Sequence, residues 1–228
     1  RVNIDFSNKK ILISGGTRGI GESTAKLFTE LGGEVLAIGS KDCNFLKDDI
    51  KKFLEDDKSF NDIDILINNA GINKINYFGD IDDSDFDDIM KVNVKAPYII
   101  SKHVIKNMIK NNWGRIINIS SVWGTKSAEQ RTSYTTSKFA IKGMTKTMAI
   151  EFASNNVLVN SVSPGFTKTE LTFKTLSEEQ LGDLVKKVPM RRMASSCEIA
   201  NVVAFLSSDY NTYITGQDIV VDGGFLIT

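Results

Sequence analysis

The sequence contains little of what several classes of site require. Its 228 residues include one histidine, His103, and two cysteines, Cys43 and Cys197. A single histidine excludes histidine triads and histidine-rich metal sites. Two cysteines far apart in sequence form neither a metal-ligand cluster nor a disulfide framework. We therefore expect no bound metal.

Net charge and long apolar runs are lacking as well. Lysine plus arginine and aspartate plus glutamate number 28 each, so no global field attracts nucleic acid or an anionic membrane surface. No uncharged apolar run approaches the roughly 18 residues needed to span a bilayer, and no secretory signal pattern opens the chain. We expect a cytoplasmic protein without nucleic-acid or membrane partners, folded as one domain over residues 1–228.

A strand, a glycine turn and a helix follow one another near the start of the chain. Residues 10–14 (KILIS) resemble a buried parallel strand, and residues 19–31 have a helical apolar face. Between and within them, Gly15, Gly19 and Gly21 permit a tight turn, the approach of a pyrophosphate and close helix packing. This arrangement predicts a dinucleotide site.

The residues after the second predicted strand, 34–39, indicate which cofactor is bound. Sites that select NAD place a carboxylate there to bind the ribose hydroxyls. This chain has Ser40 and Lys41, and Arg18 in the glycine turn adds a cation. These groups suit the 2′-phosphate of NADP(H). Because Asp42 follows, NAD(H) is the alternative cofactor, and a plain surface turn is the non-functional alternative.

Two segments in the middle of the chain predict parts of the same site. Residues 63–67 form a strand that runs into Asn68, Asn69, Ala70 and Gly71, where small residues let a cofactor lie against the backbone and Asn69 can bond to a neighbouring strand. The helix predicted at about 85–111 contains a proline at position 97, which leaves one carbonyl four residues earlier without its donor. That carbonyl could hold a water, or the proline could simply kink the helix.

The reactive groups are predicted in the stretch 115–138. Ser121 follows the strand-like residues 115–120, where open α/β sheets place their ligands. Tyr134 and Lys138 are four residues apart in a helical context and so share a face. A neighbouring ammonium should lower the pKa of the phenol and allow acid–base chemistry, with Ser121 polarising a carbonyl. The alternative is a Ser/Thr-rich loop followed by an ordinary helix.

The remaining pattern completes an α/β fold. Residues 43–47 could form a brief strand, residues 156–162 and 217–222 read as strands, and residues 198–209 as an amphipathic helix. We predict a single-domain Rossmann-type, doubly wound parallel sheet with helices on both faces. A polar segment at about 166–196 is a candidate substrate lid. The predicted substrate walls are Ile72, Trp123, Phe166 and Leu171.

Taken together and in order, the motifs resemble the classical short-chain dehydrogenase/reductase family over nearly the whole chain. They are SGGTRGIG at 14–21, NNAG at 68–71, Asn93, SSV at 120–122, YTTSK at 134–138, NSVSPGFTKT at 160–169 and ITGQDIVVDGG at 214–224. The resemblance implies that Tyr134 is the acid/base, Ser121 positions the carbonyl, Lys138 binds the nicotinamide ribose, and Asn93 holds a relay water. It implies cofactor contacts from Gly15, Thr17, Arg18, Gly19, Ile20, Gly21, Ser40, Lys41, Asn69, Ala70, Gly71, Tyr134, Lys138, Pro164, Gly165, Thr167 and Thr169.

The expected activity is an NADP(H)-dependent interconversion of a ketone and a secondary alcohol on a small molecule, possibly derived from a sugar. Family members that reduce 3-oxoacyl groups on acyl carrier protein have a similar pattern and give the alternative activity. They dock the carrier with basic residues, whereas Asn112 and Asn155 stand at the matching positions here. A non-catalytic cofactor-binding scaffold would be expected to lack Ser121, Tyr134 or Lys138.

Self-association is expected from the long helices. Residues 85–111 carry apolar side chains on more than one face, for example Val92, Val94, Ile99, Ile100, Val104, Ile105 and Met108, and one sheet should not cover them all. The resemblance implies a homotetramer, with a homodimer as the alternative. The space between the second and third strands is too short for a helix at 41–43, so the adenine side of the site should be more open.

Overall fold

One parallel sheet of six strands organises the residues that the structure, a computed structural model, describes: 4–175 and 178–228, apart from the side chains of 171, 174, 175 and 178. The strands are β1 (Lys10–Ser14), β2 (Glu34–Ile38), β3 (Ile65–Asn68), β4 (Gly114–Ile119), β5 (Val157–Pro164) and β6 (Asp218–Val221). Their order across the sheet is β2-β1-β3-β4-β5-β6, and every pairing is parallel. The order of strands reverses between β1 and β3, because β2 lies on one side of β1 and β3 on the other. Open α/β sheets bind their ligands at such a switch point.

Helices cover both faces of the sheet. They are α1 (Gly19–Glu30), α2 (Ile50–Asp56), α3 (Asp83–Met90), α4 (Ala96–Lys110), α5 (Thr132–Phe152), α6 (Glu170–Thr175), α7 (Glu178–Lys187) and α8 (Ser196–Ser207). Strand residues alternate between the two layers, since Leu12 packs with Ile100 and Val104 of α4, whereas Ile11 and Ile13 pack with residues of α1 and α8. This two-period pattern on a sheet buried on both faces confirms the predicted doubly wound fold.

The brief strand predicted at 43–47 is wrong. Asn44 accepts from the amide of Leu46 at 3.0 Å, and the carboxylate of Asp48 accepts from the amide of Asn44 at 2.6 Å. These side-chain bonds fold the segment into turns, because they occupy backbone groups that a strand would use for its ladder. Lys91 donates to the carbonyl oxygen of Leu46 at 2.8 Å and ties the turns to the sheet's helical layer.

The single helix predicted at 85–111 is in fact α3, a π-helical turn over Lys91–Lys95, and α4. Pro97 has no N–H, and the helix accommodates it by widening one turn, in which Ala96 donates to the carbonyl oxygen of Lys91. α3 begins after Asp82, and none of the described side chains caps it.

Most of the apolar residues expected to need a second subunit are covered within the chain itself. Val92, Ile100, Val104, Ile105 and Met108 are buried against the sheet. The exposed apolar side chains of α4 and α5 are instead Tyr98, Phe139 and Ile150. Among the described residues, no helix is long and apolar enough to cross a bilayer, and no three potential metal ligands cluster.

Candidate active site

A cleft of about 530 Å³ opens at the carboxyl ends of the strands. Loops after β1, β3, β4 and β5 line it, together with the start of α5. Of the residues predicted for the site, those lining the cleft are Gly15, Thr17, Arg18, Gly19, Ile20, Ser40, Asn69, Ala70, Gly71, Ile72, Ser121, Trp123, Tyr134, Lys138, Pro164, Gly165, Phe166, Thr167 and Thr169. The structure therefore brings most of the predicted site into one place.

The glycine turn forms the floor at one end of this cleft. Gly15 has a left-handed backbone with a φ of 64°, and a Cβ there would lie 2.8 Å from the Cα of Ala70. Helix α1 begins after Arg18, and none of the described side chains caps it. The first backbone amides of α1 therefore lie at the cleft without a capping partner. Such amides suit an anionic phosphate.

Gly21 does not line the cleft, and its predicted cofactor contact stays a prediction. A Cβ on it would lie 2.1 Å from the carbonyl oxygen of Gly15, so this glycine lets α1 pack beneath the turn. This packing supports the cradle. This is the third role that the glycine pattern predicted, close helix packing.

The end of β2 carries the residues predicted to select the cofactor. Ser40 and Arg18 line the cleft, whereas Lys41 is exposed and does not. The carboxylate of Asp42 accepts from the amide of Gly39 at 2.8 Å and so closes its own turn. Arg18 lies 4.0 Å from the carboxylate of Glu170 on α6. Lys41 is exposed beside the cleft, and its contact with the cofactor stays a prediction.

Asn69 and Asn93 fix the loop that follows β3. The side-chain amide of Asn69 donates to the carbonyl oxygens of Ser14 at 3.2 Å and Gly15 at 2.8 Å. This confirms the predicted bond to a neighbouring strand. The buried side chain of Asn93 accepts from the amide of Ile72 and donates to its carbonyl oxygen, both at 2.9 Å. Asn93 lies behind the cleft wall, and its relay role stays a prediction.

Ser121, Tyr134 and Lys138 lie together where β4 meets α5. The Ser121 side chain lies beside Tyr134 and acts to lower the pKa of its phenol, and the Ser121 hydroxyl accepts from the backbone amide of Trp123 at 3.2 Å. The Lys138 ammonium lies 5.4 Å from the centroid of the Tyr134 ring and donates to the carbonyl oxygen of Ile119 at 2.8 Å. A phenol, a hydroxyl and an ammonium thus share one side of the cleft.

Burial dominates the acid–base properties of this group. It raises the pKa of Tyr134 above its ordinary value, while the Ser121 side chain and the charge of Arg131 act in the opposite direction. Burial also lowers the pKa of Lys138 to about 8. The predicted lowering of the phenol pKa is wrong for this structure, because a phenolate in the enclosed cleft loses more hydration than these neighbours restore.

Aromatic side chains wall the end of the cleft beyond the reactive group. Trp123 and Phe166 meet edge to face with centroids 6.2 Å apart, and Phe225 packs against both. Ile72 adds an aliphatic wall. The predicted contact from Leu171 falls on a side chain outside the part of the chain that the structure describes.

Several lining residues were missed by the sequence reasoning. Cys43, Asn44, Phe45 and Leu46 line the end near Ser40, because the turns at 39–49 fold over the cleft. Glu170 lines it from α6. Arg131, which the sequence offers only as one of several polar residues near enough to hydrogen-bond a substrate, lies in the wall beside Tyr134 with its guanidinium 6.0 Å from the Trp123 ring centroid.

Known proteins match this chain over nearly its whole length. Residues 46–226 match the family model described as enoyl-(acyl carrier protein) reductase. The 3-oxoacyl-(acyl-carrier-protein) reductase FabG of Rickettsia felis is 38% identical over 98% of this chain and 99% of its own. The enzyme of the same name from Aquifex aeolicus is 36% identical over the same shares.

Solved structures give the same fold. A putative 2-deoxy-d-gluconate 3-dehydrogenase from Agrobacterium tumefaciens with bound NADP has a TM-score of 0.89 and 27% identity, and each chain covers the other fully. A putative gluconate 5-dehydrogenase from Beutenbergia cavernae has a TM-score of 0.91 at 24% identity. The family match, the relatives and the arrangement of Ser121, Tyr134 and Lys138 lead to one conclusion: the chain belongs to the short-chain dehydrogenase/reductase family of oxidoreductases.

Proposed function

We propose that this protein is an NADP(H)-dependent oxidoreductase that interconverts a ketone and a secondary alcohol. The observation that carries the proposal is the placement of Ser121, Tyr134 and Lys138 in a cleft that continues to the glycine turn at Gly15. A cofactor whose phosphates lie on the glycine turn can extend along the cleft to these three side chains.

The residues divide the reaction between them. The cofactor, when bound, supplies or accepts the hydride. In reduction, Tyr134 donates a proton to the carbonyl oxygen, and the raised pKa of its phenol keeps that proton in place until charge develops. Ser121 donates to the same oxygen and orients it. The Lys138 ammonium stabilises the negative charge that remains on Tyr134, and we assign it the nicotinamide ribose contact as well.

NADP(H) is preferred over NAD(H) in this proposal. Ser40 follows β2, Arg18 lies in the glycine turn before α1, and both line the cleft, where they can bind a 2′-phosphate. Asp42 is engaged with its own turn. The related structure from Agrobacterium tumefaciens is titled with bound NADP, which supports the choice.

The proposed substrate is a free small molecule. The cleft of this protein has aromatic walls. In addition, Asn112 and Asn155 stand where docking of a carrier protein would need basic residues. The second candidate is 3-oxoacyl thioester reduction on acyl carrier protein, which is favoured by the names of the curated relatives. A scaffold without activity is disfavoured because Ser121, Tyr134 and Lys138 are all present and adjacent.

A screen of NADPH oxidation distinguishes these functions. Small ketones, keto-sugars and acetoacetyl thioesters are supplied with and without carrier protein, and the loss of NADPH absorbance is followed. We expect turnover of free small molecules. Turnover of the carrier-bound thioester alone would establish the second candidate, and no oxidation with any carbonyl compound would contradict both. We further propose a cytoplasmic location and a homotetrameric assembly.

A further inference from the structure

Four charged side chains line the cleft in the described part of the chain: Arg18, Arg131, Lys138 and Glu170. Three of them have defined partners. Arg18 and Glu170 lie 4.0 Å apart, and Lys138 donates to the carbonyl oxygen of Ile119 at 2.8 Å. The fourth, Arg131, requires a separate explanation.

Arg131 is a half-buried cation without an anionic partner. No Asp or Glu of residues 4–175 and 178–228 with a described side chain lies within 4.0 Å of its guanidinium, and its side chain makes no hydrogen bond to those residues. Its neighbours are the Trp123 ring, at 6.0 Å, and Tyr134. Burial lowers the pKa of this arginine, and Tyr134 opposes that effect only in part, so the cleft holds a charge that no described carboxylate compensates.

The chemistry of the group indicates the ligand. A guanidinium presents its N–H donors in a planar fork that matches a carboxylate with two parallel hydrogen bonds. Five such donors in a partly dehydrated wall bind a carboxylate more strongly than the same contact would in water. The Trp123 ring, with its centroid 6.0 Å from the guanidinium, does not compete for those donors.

Position adds the geometry. Arg131 immediately precedes α5 and lies three residues before Tyr134. Both side chains line the cleft, and the charge of Arg131 acts on Tyr134. A substrate whose carbonyl oxygen reaches Tyr134 can therefore place a carboxylate at Arg131. We infer that Arg131 binds a substrate carboxylate, so that the proposed oxidoreductase acts on short keto acids and hydroxy acids.

This inference rests on the proposed function, and paired substrates test it. Acetoacetate and levulinate are compared with their methyl esters as oxidants of NADPH, since esterification removes only the negative charge. We expect the wild type to prefer each keto acid. Arg131→Gln should lower kcat/KM for the acids by about 10- to 100-fold, the scale of a hydrogen bond to a charged group, and leave the esters nearly unchanged. Arg131→Lys, which keeps the charge without the fork, should fall between them.

Lys126→Gln is the matched control, because Lys126 is exposed five residues earlier and does not line the cleft. Lys126→Gln should leave kcat/KM unchanged for the acids and for the esters. An equal loss for acids and esters in Arg131→Gln would overturn the inference, since that outcome indicates that Arg131 acts only through Tyr134. Unchanged activity would overturn it too, as would wild-type turnover confined to carrier-bound thioesters, while the proposed oxidoreductase would stand in both cases.

Binding measurements keep the inference testable apart from turnover. If none of the carbonyl compounds supports NADPH oxidation by the wild type, the proposed function fails. Calorimetry then measures levulinate binding to the wild type and to Arg131→Gln. Binding by the wild type alone supports the carboxylate site. Absence of binding by the wild type, or equal binding by both proteins, overturns it. Thermal unfolding and NADPH titration of each variant show whether the fold and the cofactor end are intact.

Discussion

Tyr134 combines two features that a proton donor needs. It lies beside Ser121 in the cleft, and burial raises its pKa, so the phenol stays protonated at neutral pH. Tyr134→Phe should lower turnover by roughly 10²-fold or more, the range of general acid–base contributions, and leave NADPH affinity nearly unchanged. Steady-state kinetics and fluorescence titration measure the two effects. Tyr98→Phe, at an exposed position of α4, is the control; full activity of Tyr134→Phe would remove the assignment.

Lys138 should impose an alkaline limit on ketone reduction. Its pKa is lowered by burial to about 8, so the ammonium is present below that pH and is lost as the pH rises through it. Because kcat/KM reports the free enzyme, it should fall about tenfold per pH unit above this value. Lys138→Arg keeps a charge throughout the range, and its residual activity should lack this limb. A wild-type profile that stays flat well above pH 8 would contradict the prediction.

Arg18 should determine most of the preference for NADPH. Arg18→Gln removes the cation in the glycine turn, and we expect NADPH affinity to fall by about 10- to 100-fold while NADH affinity changes little. The exposed Lys41 does not line the cleft, so Lys41→Gln should leave both affinities unchanged. Fluorescence titration with each cofactor measures the effect, and equal losses for NADPH and NADH would refute the role.

The π-helical turn at Lys91–Lys95 is hydrogen-bonded through Asn93 to the loop after β3 and to α5. Asn93 bonds both backbone groups of Ile72 in the loop after β3 and donates to Ser137 of α5 at 3.0 Å. Removing a buried partner leaves its contacts unsatisfied. Asn93→Ala should therefore lower the free energy of unfolding by about 1–3 kcal/mol and also lower turnover, since the loop and α5 both carry site residues.

Asn107→Ala supplies the comparison for this connection. Asn107 lies on α4, and its amide nitrogen is buried without a hydrogen-bond partner among the described residues. Its removal should change the free energy of unfolding by no more than about 0.5 kcal/mol. Denaturant titration of both variants tests the difference. Equal destabilisation would mean that the Asn93 bonds contribute nothing beyond the loss of side-chain volume.

The sequence predicted the elements whose patterns are local and strong. Continuous apolar runs identified β1 and β4, and glycines at fixed spacing located the turn before α1, because these patterns depend on burial and backbone conformation within a few residues. The strand predicted at 43–47 is absent, since side-chain oxygens of Asp42, Asn44 and Asp48 accept hydrogen bonds from backbone amides and form turns there. These bonds override a short apolar run. The widened turn near Asn93 was predicted only as a missing donor at Pro97.

The site divides in the same way. Ser121, Tyr134 and Lys138 were predicted from spacing, because a helix and a strand end fix their relative positions. Arg131, Glu170 and Phe45 were not assigned to the cleft, because their approach depends on how separate loops fold together. The direction of the Tyr134 pKa also could not be predicted from spacing, since it depends on the hydration lost in the closed cleft.

Two groups of exposed apolar side chains in the described part of the molecule are candidates for contacts between copies. Phe139 and Ile150 lie on α5, eleven residues and thus about three turns apart, so they share one face, and they are 50% and 83% exposed. Near the last strand, Tyr213 is 96% exposed and Ile227 is 90% exposed. Because two self-complementary contacts on one chain generate a closed tetramer, these surfaces support the proposed assembly.

We therefore predict that light scattering at micromolar concentration gives the mass of four chains. A double substitution, Phe139→Asp and Ile150→Asp, should yield dimers held by the surface near the last strand, because a buried carboxylate without a partner is strongly unfavourable. Tyr213→Asp should yield dimers held by α4 and α5 instead. Phe78→Asp, exposed but outside both surfaces, should remain a tetramer. A monomeric wild type would contradict the assembly, and dissociation by Phe78→Asp would place the contacts elsewhere.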